Sequence, residues 1–307
     1  MEKSVFYKQL CSVLAKDQIL CDEPMSRHTT FRAGGAADFY VTPRVEQVAE
    51  VLALCKKEAV ACQVIGNGSN LLVGDLGIRG VVLAFAKQAA AVQAEGCCVR
   101  AQAGALLSQA AGAAWKAGLG GLEFAAGIPG SVGGAVVMNA GAYGGECKDV
   151  LRQVTALTQE GEVVTLRNTE LALSYRHSCI PERGLTVLEA EFALQPKPQE
   201  EILALMDDLK KRRAQKQPLE YPSAGSTFKR PEGFFAGKLI MEAGLAGAAV
   251  GGAKVSEKHC GFVINAGNAS ASEILALIRK VQTRVFEHSG VKLEMEVKCM
   301  GEFKQEL

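Results

Sequence analysis

Residues 127–146 read GIPGSVGGAVVMNAGAYGGE. Pro129-Gly130 turns the chain, Ser131 stands at a helix N-cap position, and a short apolar run follows it. Gly133 and Gly134 strip side chains from the first turn, so the N-terminal end of that helix can approach something closely. A helix N-terminus edged by small residues is an anion site. Tight packing of helix on sheet asks for the same residues, so the stretch alone leaves both open.

A second glycine loop, GNGSNLLVG from Gly66, narrows the choice. It fails as a dinucleotide fingerprint, because Leu71 occupies the third glycine position and a strand-like run follows where a helix must begin. Nor is there a P-loop, since Leu239 follows Gly237-Lys238 and no hydroxyl is placed for magnesium. What remains is a loop whose backbone N–H groups can reach an anion past Gly66 and Gly68, with Asn67, Ser69 and Asn70 as neutral donors. An ordinary glycine hairpin is the plain alternative. Two such loops together favour a diphosphate-bearing cofactor.

Bulk properties exclude several classes. The 307 residues suffice for two or three domains, and 48% hydrophobic with 22% charged residues is an ordinary globular balance. A net charge of +1 draws the chain to neither nucleic acid nor anionic membrane. No apolar run reaches the ~18–20 residues of a membrane span. Residues 1–18 read as a short amphipathic helix without a signal-peptide core or cleavage site, so a cytoplasmic location is expected. Separately, a monomer is expected. Ten cysteines show no C-x-x-C pair, and four scattered histidines form no cluster. Buried reduced thiols and no metal are the expectation.

Along the chain, helices are expected at 46–59 and 105–118, and strands in GVVLAF and CCVRAQAG. LRQVTALTQEGEVVTLR reads as a hairpin turned at Glu160-Gly161, and GLTVLEAEFALQ as a further strand. PKPQE at 196–200 is the clearest linker. It sets the expected boundary between a domain at 1–197, itself in lobes of about 1–61 and 62–197, and another at 198–307. The helix that follows should bury Ile202, Leu205, Met206 and Leu209 on one face and end before Pro218. Ser270 and Glu273 match a capping box before a long helix ended by Gly290. VKLEMEVKCMG alternates strictly, which predicts a strand with Val291, Leu293, Met295, Val297 and Cys299 on one side and Glu294, Glu296 and Lys298 on the other. No 20- to 50-residue repeat is present.

The motifs IGNGSNLLV, GIPGSVGGAVVMNAGAYG, SYRHS, AGSTFKRP and EVKCMGE occur in this order across nearly the whole chain. Together they resemble the UDP-N-acetylenolpyruvoylglucosamine reductase family. The resemblance implies an α+β architecture: a two-lobed FAD-binding domain of the vanillyl-alcohol-oxidase type, then a C-terminal α+β substrate domain. It implies FAD and NADPH as cofactors and a small UDP-sugar substrate, without nucleic acid, membrane or metal. It places FAD on Gly66, Asn67, Gly68, Ser69, Asn70 and Leu71, and on Gly127, Ile128, Pro129, Gly130, Ser131, Gly134, Ala135, Asn139, Gly141 and Ala142. Arg32 and Gly34 border that site by the same likeness, and Arg213 lies near the cofactor or a diphosphate. The longer branch of the family carries a substrate-covering tyrosine between the YR-x-S motif and the linker. Here CIPERGLTVLEAEFALQP holds no tyrosine, so the chain resembles the shorter branch and the element closing over the UDP is open.

Such an enzyme reduces an enol ether conjugated to a carboxylate. It must stabilise charge on the carboxylate and supply a proton to the α-carbon. Arg176, a surface ion pair on the plainest reading, is by resemblance the residue that polarises the substrate carboxylate. Glu296, otherwise a solvated strand residue, matches the family's catalytic glutamate. Ser226 reads in isolation as a turn or cap serine. AGSTF is not G-x-S-x-G, so a hydrolase nucleophile is excluded, whereas a neutral hydroxyl donating a proton needs no histidine base. By the same resemblance, Tyr175, Lys216 and Gly225 are the expected substrate contacts. KKRRAQK at 210–216 suits either a solvated helix end or a diphosphate. Lys229, Arg230 and His259 remain unranked. Two other readings stay open: another FAD oxidase or dehydrogenase of the same fold, and a non-catalytic nucleotide-sugar-binding protein.

Overall fold

The computed structural model describes residues 2–304. The chain forms two compact units. The first comprises Met1–Cys21, Phe39–Asn67 and Gly80–Arg213, the second Asp22–Asp38, Gly68–Arg79 and Ala214–Leu307.

In the first unit, α1 (Lys3–Val13) buries Phe6 and Leu10, and the Phe6 ring meets Phe39 edge-on at 5.4 Å. Helix α2 (Val48–Lys57) buries Val48, Val51 and Cys55. The strand Cys62–Ile65 then pairs in parallel with Ile78–Ala84. Helix α3 (Leu107–Lys116) buries Leu107, Ala110, Ala111 and Ala114, the i, i+3, i+4, i+7 stripe of an amphipathic helix. Helix α4 (Val132–Val137) and the single turn α5 (Cys147–Val150) follow. A five-stranded antiparallel sheet runs Val163–Arg167, Leu151–Leu157, Thr186–Ala193, Cys98–Gln102, Val92–Glu95. The expected hairpin is there: Thr158 N–H donates to Glu162 O at 2.9 Å, and Gly161 takes φ +88°.

Helix α6 (Gln199–Lys216) buries Ile202, half-buries Met206 and Leu209, and leaves Leu205 38% exposed. The four-residue apolar face expected there is therefore narrower. Met206, one turn beyond Ile202, packs on the core of the first unit.

In the second unit, α7 (Ala236–Glu242) and α8 (Ala271–Ser289) accompany a three-stranded antiparallel sheet of Ala249–Val250, Ala253–Val255 and Val263–Asn265. The capping box is complete: Ser270 Oγ accepts from Glu273 N–H at 3.1 Å, and Glu273 Oε2 accepts from Ser270 N–H at 2.9 Å. Asp75 accepts from the N–H groups of Ala271 and Ser272, both at 2.8 Å, setting an anion at the positive end of the helix. Gly290 closes it at φ +71°.

The expected final strand is not one strand. Only Lys298–Met300 is regular, paired in parallel with Leu71–Val73. Upstream, Met295 bridges Phe228. The segment changes partner at a bend on Val297, which breaks the alternation. Glu296 and Val297 are both buried and Cys299 is exposed, so Glu296 is not on a solvated face.

None of the ten cysteines forms a disulfide. Cys55, Cys147, Cys179 and Cys260 are buried as expected, but Cys21, Cys97 and Cys299 are exposed. No helix among the described residues is long and apolar enough to cross a membrane, and no His/Cys/Asp/Glu cluster among them could hold a metal.

Candidate active site

In the first unit the two glycine loops meet. Ser131 is the N-cap of α4, its Oγ accepting from Gly134 N–H at 3.4 Å. A Cβ on Gly66 would collide with that Oγ, so glycine is required by packing. Asn67 Nδ2 donates to Pro129 O at 2.6 Å and ties the loops together. Gly133 lies against Ala103, where a Cβ would stand 2.9 Å from the alanine Cβ, and its N–H donates to Ala103 O. The helix-packing reading of the glycines thus holds at Gly133. At the mouth of the loops it does not: the N–H groups of Asn67, Gly127, Gly130 and Ser131 donate to nothing among the described residues. Such orphan donors suit an anion.

Arg213 supplies a cation to the same place. A Cβ on Gly127 would lie 3.3 Å from Arg213 Cδ, so the arginine stem runs along the glycine backbone. Burial pulls its guanidinium below the ordinary arginine range, opposed by the Tyr143 hydroxyl. Among the described residues it makes no ion pair with a carboxylate. A half-buried guanidinium beside unused backbone donors fits a diphosphate.

Asn139 is fully buried at φ +41°, a conformation asparagine tolerates better than most residues. Its Nδ2 donates to Glu146 Oε2 at 2.6 Å and Ser174 O at 3.0 Å, and its Oδ1 accepts from Lys148 N–H at 2.9 Å. The side chain therefore holds protein segments together. Pattern reasoning found Asn139 only as part of a motif, and the signal it carried was asparagine just before Ala-Gly.

Ser174, so anchored, opens a tight turn. Ser174 and His177 exchange both backbone bonds, at 3.1 and 3.2 Å, which leaves Tyr175 and Arg176 at the tip. Arg176 takes φ +54°, a strained choice for a long side chain. Its guanidinium lies 5.0 Å from the Tyr175 ring centroid, and Nη2 donates to Gly141 O at 3.5 Å. Ser178 Oγ donates to Val137 O at 2.8 Å and pins the far side of the turn to α4. The structure thus joins Arg176, Tyr175, Gly141 and Asn139, and Ala135 lies buried within α4.

In the second unit a Cβ on Gly34 would press on Val73, and one on Gly68 (φ +63°) would strike His28 O. Thr30 N–H donates to Gly68 O at 3.3 Å. These contacts set the Arg32 turn (φ +55°) beside the Gly68–Leu71 strand entry. The N–H groups of Ser69 and Asn70 donate to nothing among the described residues.

Ser226 and Glu296 stand on neighbouring segments. Glu296 N–H donates to Thr227 O at 2.9 Å, and Lys229 N–H donates to Glu294 O at 2.8 Å. Asn70 Nδ2 donates to Glu296 O at 3.1 Å and Lys298 N–H to Asn70 O at 2.9 Å, so the carboxylate segment is held from both sides. Thr227, fully buried, fixes the serine loop: its Oγ1 accepts from Val263 N–H at 2.9 Å, and its N–H donates to Gly261 O. Gly225 takes φ +76° in open space, so glycine is there for its backbone conformation. Ser226 is exposed, and its hydroxyl has no partner among the described residues. Neither a cap nor a turn bond occupies it.

The other basic candidates separate. Lys229 pairs with Glu294, and Lys216 is exposed at the end of α6. His259 Nδ1 accepts from Gly261 N–H at 3.1 Å, and burial holds its imidazole below the usual range. A neutral ring already occupied as an acceptor is no base for Ser226.

Comparison with known proteins agrees with this arrangement. Residues 37–167 match the model of an FAD binding domain, and residues 217–300 match the UDP-N-acetylenolpyruvoylglucosamine reductase C-terminal domain. The chain is 55% identical to the UDP-N-acetylenolpyruvoylglucosamine reductase of Agathobacter rectalis, over 97% of this chain and 99% of that one. It is 50% identical to the enzyme of Clostridioides difficile, over 98% and 100%. The crystal structure of the Thermus caldophilus enzyme (MurB) superposes with a TM-score of 0.79 at 36% identity, covering 92% of this chain and 97% of that one. The architecture is accordingly α+β, an FAD-binding domain of the vanillyl-alcohol-oxidase type with a C-terminal substrate domain, in the shorter form without the tyrosine segment. The protein belongs to the UDP-N-acetylenolpyruvoylglucosamine reductase family and is an FAD-containing oxidoreductase.

Proposed function

We propose that the protein reduces UDP-N-acetyl-3-O-(1-carboxyvinyl)glucosamine to UDP-N-acetylmuramate at the expense of NADPH, in the cytoplasm, as a step of peptidoglycan precursor synthesis. When bound, FAD supplies the hydride that it has taken from NADPH. Residues 1–197 carry the flavin in this reading, and residues 198–307 carry the sugar nucleotide.

The chain's own residues have three tasks. Gly66–Leu71 and Gly127–Ala142 present backbone donors to the cofactor diphosphate, with Arg213 as counter-charge. Arg176, held rigid at the tip of its turn, pairs with the substrate carboxylate and draws charge onto it. Ser226 donates its hydroxyl proton to the α-carbon, and Glu296, on the adjoining segment, hydrogen-bonds the developing enol or relays the proton. Tyr175, Gly225 and Lys216 complete the substrate contacts.

One observation carries this reading: Ser226 presents an unpartnered hydroxyl on a loop laddered to the buried Glu296 segment. A proton donor must keep its hydrogen available, whereas a structural serine would use it. The test is product formation. Protein incubated with NADPH and the enolpyruvyl sugar nucleotide should release the saturated lactyl ether, and unchanged substrate would overturn the proposal.

A further inference from the structure

Nothing in the sequence between Arg176 and the linker replaces the tyrosine that covers substrate in the longer branch. The second unit offers a different cover beside Ser226. Phe234 and Phe235 are 46% and 59% exposed, side by side, in KRPEGFFAGK. Phenylalanine side chains are ordinarily buried, so two adjacent ones held in water need a reason.

They are held in fixed positions. Phe235 is the N-cap residue of α7, and its carbonyl accepts from the N–H groups of Lys238 and Leu239 at 3.0 and 3.1 Å. Phe234 N–H donates to Pro231 O at 3.1 Å, and Arg230 Nε donates to Phe234 O at 3.3 Å. The Arg230 guanidinium lies 4.0 Å from the Phe235 ring centroid, a cation–π contact that orders both groups. The result is a rigid aromatic surface with a planar cation on it. Of the cations in residues 229–238, Lys229 pairs with Glu294 and Lys238 with Glu242 at 3.7 Å, so the charge set on the ring is the Arg230 guanidinium. An aromatic face carrying a planar cation complements a flat base followed by phosphates. Phe235 is nine residues beyond Ser226, but Arg230, whose guanidinium lies on its ring, is only four residues beyond it, within about 14 Å of extended chain. That separation suits a substrate whose reacting end and base lie on opposite sides of a diphosphate.

We infer that Phe235, stacked with Arg230, is the platform on which the pyrimidine–ribose end of the sugar nucleotide rests, and that it replaces the missing tyrosine cover. The inference rests on the substrate proposed above. Phe235→Leu keeps the apolar bulk but removes the π face, and the residue is too exposed for the change to unfold the chain. KM for the enolpyruvyl sugar nucleotide and the dissociation constant of UDP alone should each rise roughly tenfold, the scale of one base–aromatic stack. kcat at saturating substrate should fall much less, and Phe235→Tyr should restore affinity. The rate at which NADPH reduces the flavin serves as reference in every variant.

Unchanged UDP affinity in Phe235→Leu overturns the platform. So does a matching loss in Tyr221→Ala, the other exposed ring of this unit near the loop, with Phe235→Leu silent. A rise confined to the KM for NADPH would assign the surface to the nicotinamide nucleotide and equally refute the inference. Failure of the wild-type protein to turn over the enolpyruvyl substrate would instead refute the proposed function, a separate outcome.

Discussion

Glu296 N–H donates to Thr227 O across 2.9 Å, which ladders the buried carboxylate segment to the loop that ends in Ser226. The two groups proposed to handle the substrate proton are thus positioned by backbone, not by each other's side chains. Removing one side chain should leave the frame of the other intact.

Ser226→Ala tests this separation. NADPH should still bleach the flavin at the wild-type rate, while substrate turnover falls by roughly 10²-fold or more, the scale of lost general acid catalysis. Because the hydroxyl has no partner among the described residues, thermal stability should stay within about 0.5 kcal/mol of wild type. Equal loss in both half-reactions would point to misfolding.

Asn70→Ala removes the side-chain bond to Glu296 O without touching the carboxylate. The loss of one hydrogen bond should cost about 1 kcal/mol of stability. The larger effect is expected in kcat, since the Glu296 segment loses one of its tethers. Stopped-flow reoxidation of reduced flavin by substrate measures it, and unchanged reoxidation would deny Asn70 that positioning role.

Gly66→Ala and Gly112→Ala form a contrasting pair. An alanine at 66 drives Ser131 Oγ from the α4 cap, at a cost of about 1 kcal/mol for the cap alone. It should also lower the flavin retained through purification, read from the ratio of flavin to protein absorbance. Gly112, inside α3 with open space around it, should accept alanine and gain up to about 1 kcal/mol. Equal retention by the two variants would contradict the cradle.

Glu123 predicts an acid limb to stability. Burial works to raise its pKa, but its own N–H, that of Gly121 at 2.7 Å and Lys197 at 3.2 Å outweigh it and hold the carboxyl below the usual range. A depressed folded-state pKa stabilises above the unfolded value of about 4.3 and is lost as pH falls through the folded value. Glu123→Gln should therefore lower Tm at neutral pH, with the gap to wild type narrowing below about pH 4. A gap independent of pH would remove the carboxylate from the account.

Local features were legible in the sequence, and long-range ones were not. Ser131 and Ser270 announced their helices because a cap depends on residues within one turn, and Gly161 announced its hairpin for the same reason. The burial of Glu296 was hidden, since alternation assumes one partner and this segment changes from Thr227–Lys229 to Leu71–Val73. Asn139 was visible only as a motif letter, because its bonds reach Glu146, Lys148 and Ser174. The positive φ of Arg176 was invisible too, since nothing in SYRHS demands glycine-like backbone. Leu205 misled because a helical stripe records what can be buried, and α6 packs on less than its full width.

Anaerobic spectroscopy of the purified protein tests the central claim most directly. The yellow flavin band should bleach on adding NADPH and return when the enolpyruvyl sugar nucleotide is added, in proportion to substrate consumed. A colourless protein, or reduced flavin that this substrate fails to reoxidise, would contradict the account.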